Sequence, residues 1–323
     1  MHRKYPVICI LLIYLFCGAK HINTWDAQIY LRDTLKLGEG IIYDRPSHRL
    51  LWVDIESCCF YLHTLNNKRT ICYPVSTKIG TIVPETDSSV IIALQSGIYR
   101  YFLNNGMHFI AHPEQMISGN RYNDGKCDPS GRFWVGSMAL NQRPFAAALY
   151  RIDGNNQWTV MTDSITISNG ICWSNDKTKM YYIDSPTGNI RVYKYNDRTG
   201  TIDRGNILRH FEPDEGVPDG MTIDAEGHLW VALWNDSSVV RIDHTTGIIT
   251  DRVNVPSPKV TSCTFGGKEL DTLFITTARM GTAKEIKDHP ICGSIFYCIT
   301  GVKGVPANRY NDTNPESTVK DDQ

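Results

Sequence analysis

Six times along this chain a strand-like run rich in aromatic and β-branched residues is followed by a turn and a second such run. The pairs are 51–55 with 60–63, 90–94 with 97–101, 133–138 with 148–152, 180–184 with 190–195, 229–233 with 239–242, and 273–277 with 294–297. They recur every roughly 40 to 50 residues, the size of one four-stranded propeller blade. The first run of each pair is nearly continuous in apolar residues, which suits an inner strand packed between neighbouring blades. The second alternates, with Arg100, Arg151, Lys194 and Arg241 expected to point outward. Turn signals separate the runs at Asn66-Asn67, Asp153-Gly154, Arg198-Thr199-Gly200 and Thr245-Thr246-Gly247. The expected fold is therefore all-β, a six-bladed β-propeller whose sheets close on themselves and leave only short edges. A β-sandwich does not predict six equivalent units. Gln28–Leu31 is expected to add an outer strand to the last blade beside 301–304, and the polar stretch from Asn308 onward is expected to be a flexible tail.

The N-terminus reads differently. His2-Arg3-Lys4 precedes an apolar run over 7–16, and Cys17-Gly18-Ala19 supplies small residues where a signal peptidase cuts. Residues 1–19 are thus expected to be a secretory signal peptide, and 20–323 a single secreted propeller domain. No later segment is apolar and long enough to cross a membrane. The net charge of −1 offers no basic stripe for a nucleic acid. Secretion makes disulfides admissible. Cys58 or Cys59 with Cys72, and Cys292 with Cys298, are the candidate bridges, while Cys127, Cys172 and Cys263 read as small buried apolar residues. Asn235-Asp236-Ser237 and Asn311-Asp312-Thr313 are glycosylation sequons.

The chemistry is concentrated in Gly38-Glu39-Gly40, Ser168-Asn169-Gly170 and Pro218-Asp219-Gly220. Each sets one hard oxygen beside glycine, whose backbone freedom suits a sharp turn. Each lies about ten residues ahead of the strongly apolar strand of its own repeat. Equivalent positions in different blades converge on the propeller axis, so the loops carrying Glu39, Asn169 and Asp219 are expected to meet at one mouth of the channel. Two carboxylates and one amide carry a charge of about −2, a match for a divalent cation of the calcium, magnesium or manganese type. The histidines form no zinc-protease pattern, and no Gly-x-Ser-x-Gly elbow appears, which argues against serine hydrolase chemistry.

A longer motif supports this. The stretch 120–133, Asn-Arg-Tyr-Asn-Asp-Gly-Lys-Cys-Asp-Pro-Ser-Gly-Arg-Phe, closely resembles the signature of the regucalcin (senescence marker protein) and gluconolactonase family, which also includes the luciferin-regenerating enzymes. Ile167-Ser168-Asn169-Gly170, the segment 218–227 and the segment 262–267 agree with it, and the likeness runs from about Leu35 to about Val305. The resemblance implies a six-bladed propeller holding one divalent metal cation (Ca2+, Zn2+, Mn2+ or Mg2+) on Glu39, Asn169 and Asp219. It implies that Asp219 is also the general acid/base, and that Arg121 and Asn123 hold the hydroxyls of a small-molecule lactone. Asn141 stands where animal members carry a substrate-contacting Glu, and Ile41 and Tyr43 stand where Pro and Trp are common. Asp124 and Lys126 read as braces of the loop, Asp54 as a strand-end turn residue.

Three side-chain ligands leave open several of the roughly six to eight positions calcium takes, an arrangement that suits turnover. The expected function is a secreted, divalent-metal-dependent hydrolase of sugar lactones. The competing readings are a secreted calcium-binding protein without turnover, and an enzyme acting on a non-sugar heterocycle.

Overall fold

The computed structural model describes residues 22–154 and 157–311. The leader 1–19 lies outside them, as does the tail beyond 311. Six sheets form six blades, each built outward from one inner strand. The inner strands of blades 1 to 6 are Gly38–Asp44, Ile79–Pro84, Asn120–Cys127, Ser168–Trp173, Val217–Ile223 and Val260–Gly266. Each touches the inner strands of the blades before and after it, and the sixth touches the first, so the ring is closed.

The strongly apolar runs are not innermost, as the repeat pattern had suggested. They form the second strand of each blade: Arg49–Asp54, Ser89–Leu94, Phe133–Ala139, Lys179–Asp184, Leu229–Trp234 and Thr272–Thr277. Strand alternation explains their composition. Leu51 and Val53 pack with Ile82 and Ile92 of blade 2, whereas Leu50 and Trp52 pack with Phe274 and Ile295 of blade 6. Both faces of the strand are therefore buried, and every position must be apolar. Six such clusters fill the six wedges between blades. Large side chains such as Trp52, Trp134, Tyr181 and Trp230 are wholly buried in them, each contributing about 1.5–3 kcal/mol of apolar burial.

The inner strands share one irregularity. Each slips register against its second strand at the same relative place: after Glu39, Ile79, Tyr122, Ser168, Pro218 and Val260. A β-bulge bends the strand and re-aims the side chains within it. Six bulges at one level of the ring define a zone where the pleat no longer dictates which way a side chain faces.

Chain ends secure the ring. Gln28–Leu31 adds the outer strand of blade 6, as expected, but pairs with Ile295–Ile299 rather than with 301–304. Asn23–Asp26 adds a parallel strand to blade 5 beside Ile249–Asn254. At the other end the expected flexibility begins too early. Asn308 Nδ2 donates to the Cys127 carbonyl at 3.1 Å, and Arg309 holds Asp44 and Asp87. Tyr310 is buried against the core between blades 2 and 3, and the Asn311 amide bonds Gly131. Residues 308–311 are thus a strap across the base. A six-residue helix, Ala283–Asp288, buries no side chain, which is why no apolar period announces it.

All eight described cysteines are unbridged in this structure, with the Cys59 and Cys72 thiols near each other on neighbouring strands. Cys59 sits beside the Tyr61 hydroxyl, and Cys292 accepts a hydrogen bond from Ser257. Cys298 packs in the wedge between blades 5 and 6.

The segments 128–134 and 224–230 build matching hairpins. In one, Asp128 accepts from the Ser130 and Arg132 amides, the Arg132 guanidinium, the Trp134 indole and Tyr195. In the other, Asp224 accepts from the Glu226 and His228 amides, the Trp230 indole and Arg241. Both aspartates are fully buried. Removing one partner of a buried ion pair costs about 3–5 kcal/mol. Asp224→Ala should therefore lower the free energy of unfolding by about that amount, as read from the urea midpoint; a midpoint equal to wild type would show that the hairpin is not held this way.

Candidate active site

Glycine brings the inner strands close enough to make a site. Gly40 lies at φ +56°, in the left-handed region that a side chain resists, so here the expected sharp turn is real. Gly170 and Gly220 serve a different need. A Cβ on Gly170 would lie 2.6 Å from the Asp219 carbonyl oxygen, and one on Gly220 would lie 2.7 Å from the Ser262 Cα. Neighbouring inner strands pass so closely that only a hydrogen fits between them.

The expected site residues sit on the bulged inner strands themselves rather than on loops ahead of them. Glu39 is on blade 1, Arg121 and Asn123 on blade 3, Asn169 on blade 4 and Asp219 on blade 5. All are buried, between 6% and 8% exposed. Hydrogen bonds join Arg121, Asn123 and Asn169 and run on to the residue before Asp219, across three blades. Arg121 Nη1 donates to Asn123 Oδ1 at 2.6 Å, and Asn123 Nδ2 donates to Asn169 Oδ1 at 2.9 Å. Asn169 Nδ2 donates to Ser185 Oγ at 2.7 Å, and Ser185 Oγ donates to the Pro218 carbonyl at 2.6 Å, one residue before Asp219. Ser185 is a member that sequence reasoning missed. Only its place, next to Asp184 at the end of a second strand, could have marked it.

The carboxylates lie close enough to raise one another's proton affinity. Burial, and then the charge of Asp124, pushes the Glu39 carboxyl up to about 8. Asp219 is raised well above the ordinary carboxylate range by burial, then by the charges of Glu39 and Asp124. Arg121 offsets part of this, and burial lowers its own guanidinium to about 10. Lys126 is a second nearby cation, and its ammonium donates to the Met221 carbonyl.

One expected residue does not join the cluster. Asn141 lies in an exposed turn after the second strand of blade 3, where its Oδ1 accepts from the Arg143 amide at 3.2 Å. Asp54, read as a turn residue, is a buried acceptor for the Lys36, Leu37 and Ser57 amides. Toward the other end of the inner strands, a cavity of about 260 Å³ is bounded by Lys126, Cys172, Thr222, Thr264 and Asn308. Among the described residues, the two buried carboxylate oxygens without a hydrogen bond, Asp124 Oδ2 and Asp219 Oδ1, both lie on the inner strands, which favours the buried cluster as the seat of the chemistry. Asp219 Oδ1 is a buried carboxylate oxygen with no donor.

The chain matches the family described as "SMP-30/Gluconolactonase/LRE-like region" over residues 37–279. It belongs to that family. It is 33% identical over 294 residues to regucalcin of Danio rerio, covering 90% of this chain and 99% of that protein. It is similar in structure to a calcium-binding protein, regucalcin, from Agrobacterium tumefaciens, with TM-score 0.85 and 27% identity over 90% of this chain and all of the other. It is also similar to a luciferin-regenerating enzyme, with TM-score 0.81 and 31% identity, covering 86% of this chain and 96% of that one.

The residues of this SMP-30/gluconolactonase-like site fit a divalent cation. Its donors are oxygens, its charge is negative, and Asp219 keeps a lone oxygen without a hydrogen bond. Among the described residues, no three His, Cys, Asp or Glu side chains are gathered closely enough to hold a metal alone. Beside Glu39 and Asp219, Asn169 offers an amide oxygen as a further neutral donor. Ser185 fixes that amide, so Ser185→Ala should leave Asn169 Nδ2 without its acceptor and cost about 1–3 kcal/mol of stability. Equilibrium urea unfolding checks this; no loss would show that Asn169 is held by other means.

Proposed function

We propose that this protein is a divalent-cation-dependent hydrolase of sugar lactones. The observation that carries the reading is the donor-less oxygen of Asp219, buried beside Glu39 and Asn169 at the crowded axis of the ring. Membership of the gluconolactonase-like family supports it. Glu39, Asn169 and Asp219 would hold the cation, which when bound supplies a Lewis acid for the lactone carbonyl and for the negative charge that develops there.

The chain's own residues account for the remaining steps. Arg121, braced by Asn123 and the Tyr122 carbonyl, presents a rigid fork of donors to the substrate's hydroxyls. Asp219 takes a proton from water as the water oxygen attacks the carbonyl carbon. The ring C–O bond then breaks, and the same carboxyl returns the proton to the leaving ring oxygen. The product is the open-chain hydroxy acid, with no atom unaccounted for.

The N-terminal pattern over 1–19 supports secretion as part of the proposal. Protein recovered from the medium of secreting cells should begin at Lys20; an N-terminus at Met1 would remove that reading. Asp219→Ala should lower lactone turnover by at least about 10²-fold, with the circular-dichroism spectrum unchanged. A panel of sugar lactones and non-sugar heterocycles, assayed with calcium, zinc, manganese or magnesium and with chelator, tests the whole reading. Sugar lactone turnover that chelation abolishes is expected. Cation binding without turnover of any substrate would instead favour a calcium-binding protein, and turnover confined to a heterocycle would favour luciferin-regenerating-type chemistry.

A further inference from the structure

Asp124 is built like the two carboxylates already assigned to the cation. Each of the three stands at the bulge of its inner strand and is followed directly by glycine: Glu39-Gly40, Asp124-Gly125 and Asp219-Gly220. Glu39 Oε2 accepts from the Gly40 amide at 2.9 Å, and Asp124 Oδ1 accepts from the Gly125 amide at 2.8 Å. The Gly220 amide acts on Asp219 in the same way. One oxygen of each carboxylate is thus tied to the strand.

The other oxygen of Asp124 has no partner. Among the described residues, Asp124 Oδ2 and Asp219 Oδ1 are the only buried carboxylate oxygens without a hydrogen bond. A buried carboxylate that serves only structure looks different in this protein. Glu114 receives the Ser137 and Tyr150 hydroxyls and the Asn120 amide. Asp128 and Asp224 each receive donors on both oxygens. A loop brace would have used both of its oxygens, and Asp124 uses one. Its neighbouring cation does not fill the gap, since the Lys126 ammonium donates to the Met221 carbonyl. Asp124 lies on the inner strand of blade 3, as Arg121 and Asn123 do, within electrostatic range of Glu39 and Asp219, both of which its charge raises.

We propose that Asp124 is a further member of the cation site, contributing its charge and its free oxygen from blade 3 opposite Glu39 and Asp219. Asp124 would act there through its negative charge and its free acceptor, beside Glu39, Asn169 and Asp219. The proposal rests on the cation-site reading above and extends it from three blades to four.

The test is calorimetric titration of calcium into the wild-type protein and Asp124→Asn. Asparagine keeps the acceptor for the Gly125 amide and removes only the charge and one acceptor oxygen. Calcium affinity should fall by about tenfold or more, and the rise in Tm caused by calcium should shrink in step. An unchanged calcium affinity would overturn this proposal while leaving Glu39, Asn169 and Asp219 in place. A wild-type protein that binds no calcium, manganese, magnesium or zinc would overturn the cation site itself. Should Asp124→Asn not fold, Asp124→Ser, whose hydroxyl also accepts from Gly125, gives the same readout.

Discussion

Closing six twisted sheets into a ring forces six backbones toward a single axis, and the rest of the molecule answers that crowding. Where the inner strands press hardest, at Gly170 against the Asp219 carbonyl and Gly220 against Ser262, even one methyl group has no room. The strands yield by bulging, each at the same level. A regular pleat would have alternated side chains between the two adjacent wedges. The bulge frees Glu39, Asn123, Asp124, Asn169 and Asp219 from that alternation and delivers polar atoms to a place no solvent-facing loop could match for rigidity.

Such a place is electrostatically expensive. An unpaired polar group buried away from water costs about 1–3 kcal/mol, and a charged one more. The protein meets most of this cost with hydrogen bonds, as Asp54, Glu114, Asp128 and Asp224 show. It leaves the cost unmet at Asp219 and Asp124. The raised proton affinity of Glu39 and Asp219 is the direct sign of that imbalance. On the proposed reading, a bound cation would relieve this imbalance, and its affinity would be coupled to proton release.

Much of this was legible in the chain. Six paired runs at even spacing gave the ring, because a strand between two blades has no solvent face and must be apolar throughout. The same logic hid which strand lies innermost. The inner strands carry polar residues such as Arg121, Asn123 and Asp219, and composition alone makes them resemble loops. Glycine beside an oxygen led to Glu39, Asn169 and Asp219, yet Asp124-Gly125 fits that pattern equally and was read as a brace. Nothing local distinguishes a carboxylate with two occupied oxygens from one with a single occupied oxygen; only the packed structure does. Ser185 and the strap at 308–311 were illegible for a related reason. Their partners, Pro218 and Asn169 in one case, Asp44 and Cys127 in the other, are distant along the chain.

The two chain ends reach across the ring in opposite senses. Asn23–Asp26 and Gln28–Leu31 complete blades 5 and 6, while Arg309, Tyr310 and Asn311 fasten blades 1, 2 and 3 from beneath. Residues 23–31 thus find their strand partners in blades 5 and 6, and blades 1 to 3 find a fastening in residues 309–311. A growing polypeptide of this kind closes its circle only once Val260–Gly266 and Ile295–Ile299 are available to meet Gly38–Asp44 and Gln28–Leu31. The sixth blade, which borrows its outer strand from the N-terminal side, is thus the unit whose completion seals the circle.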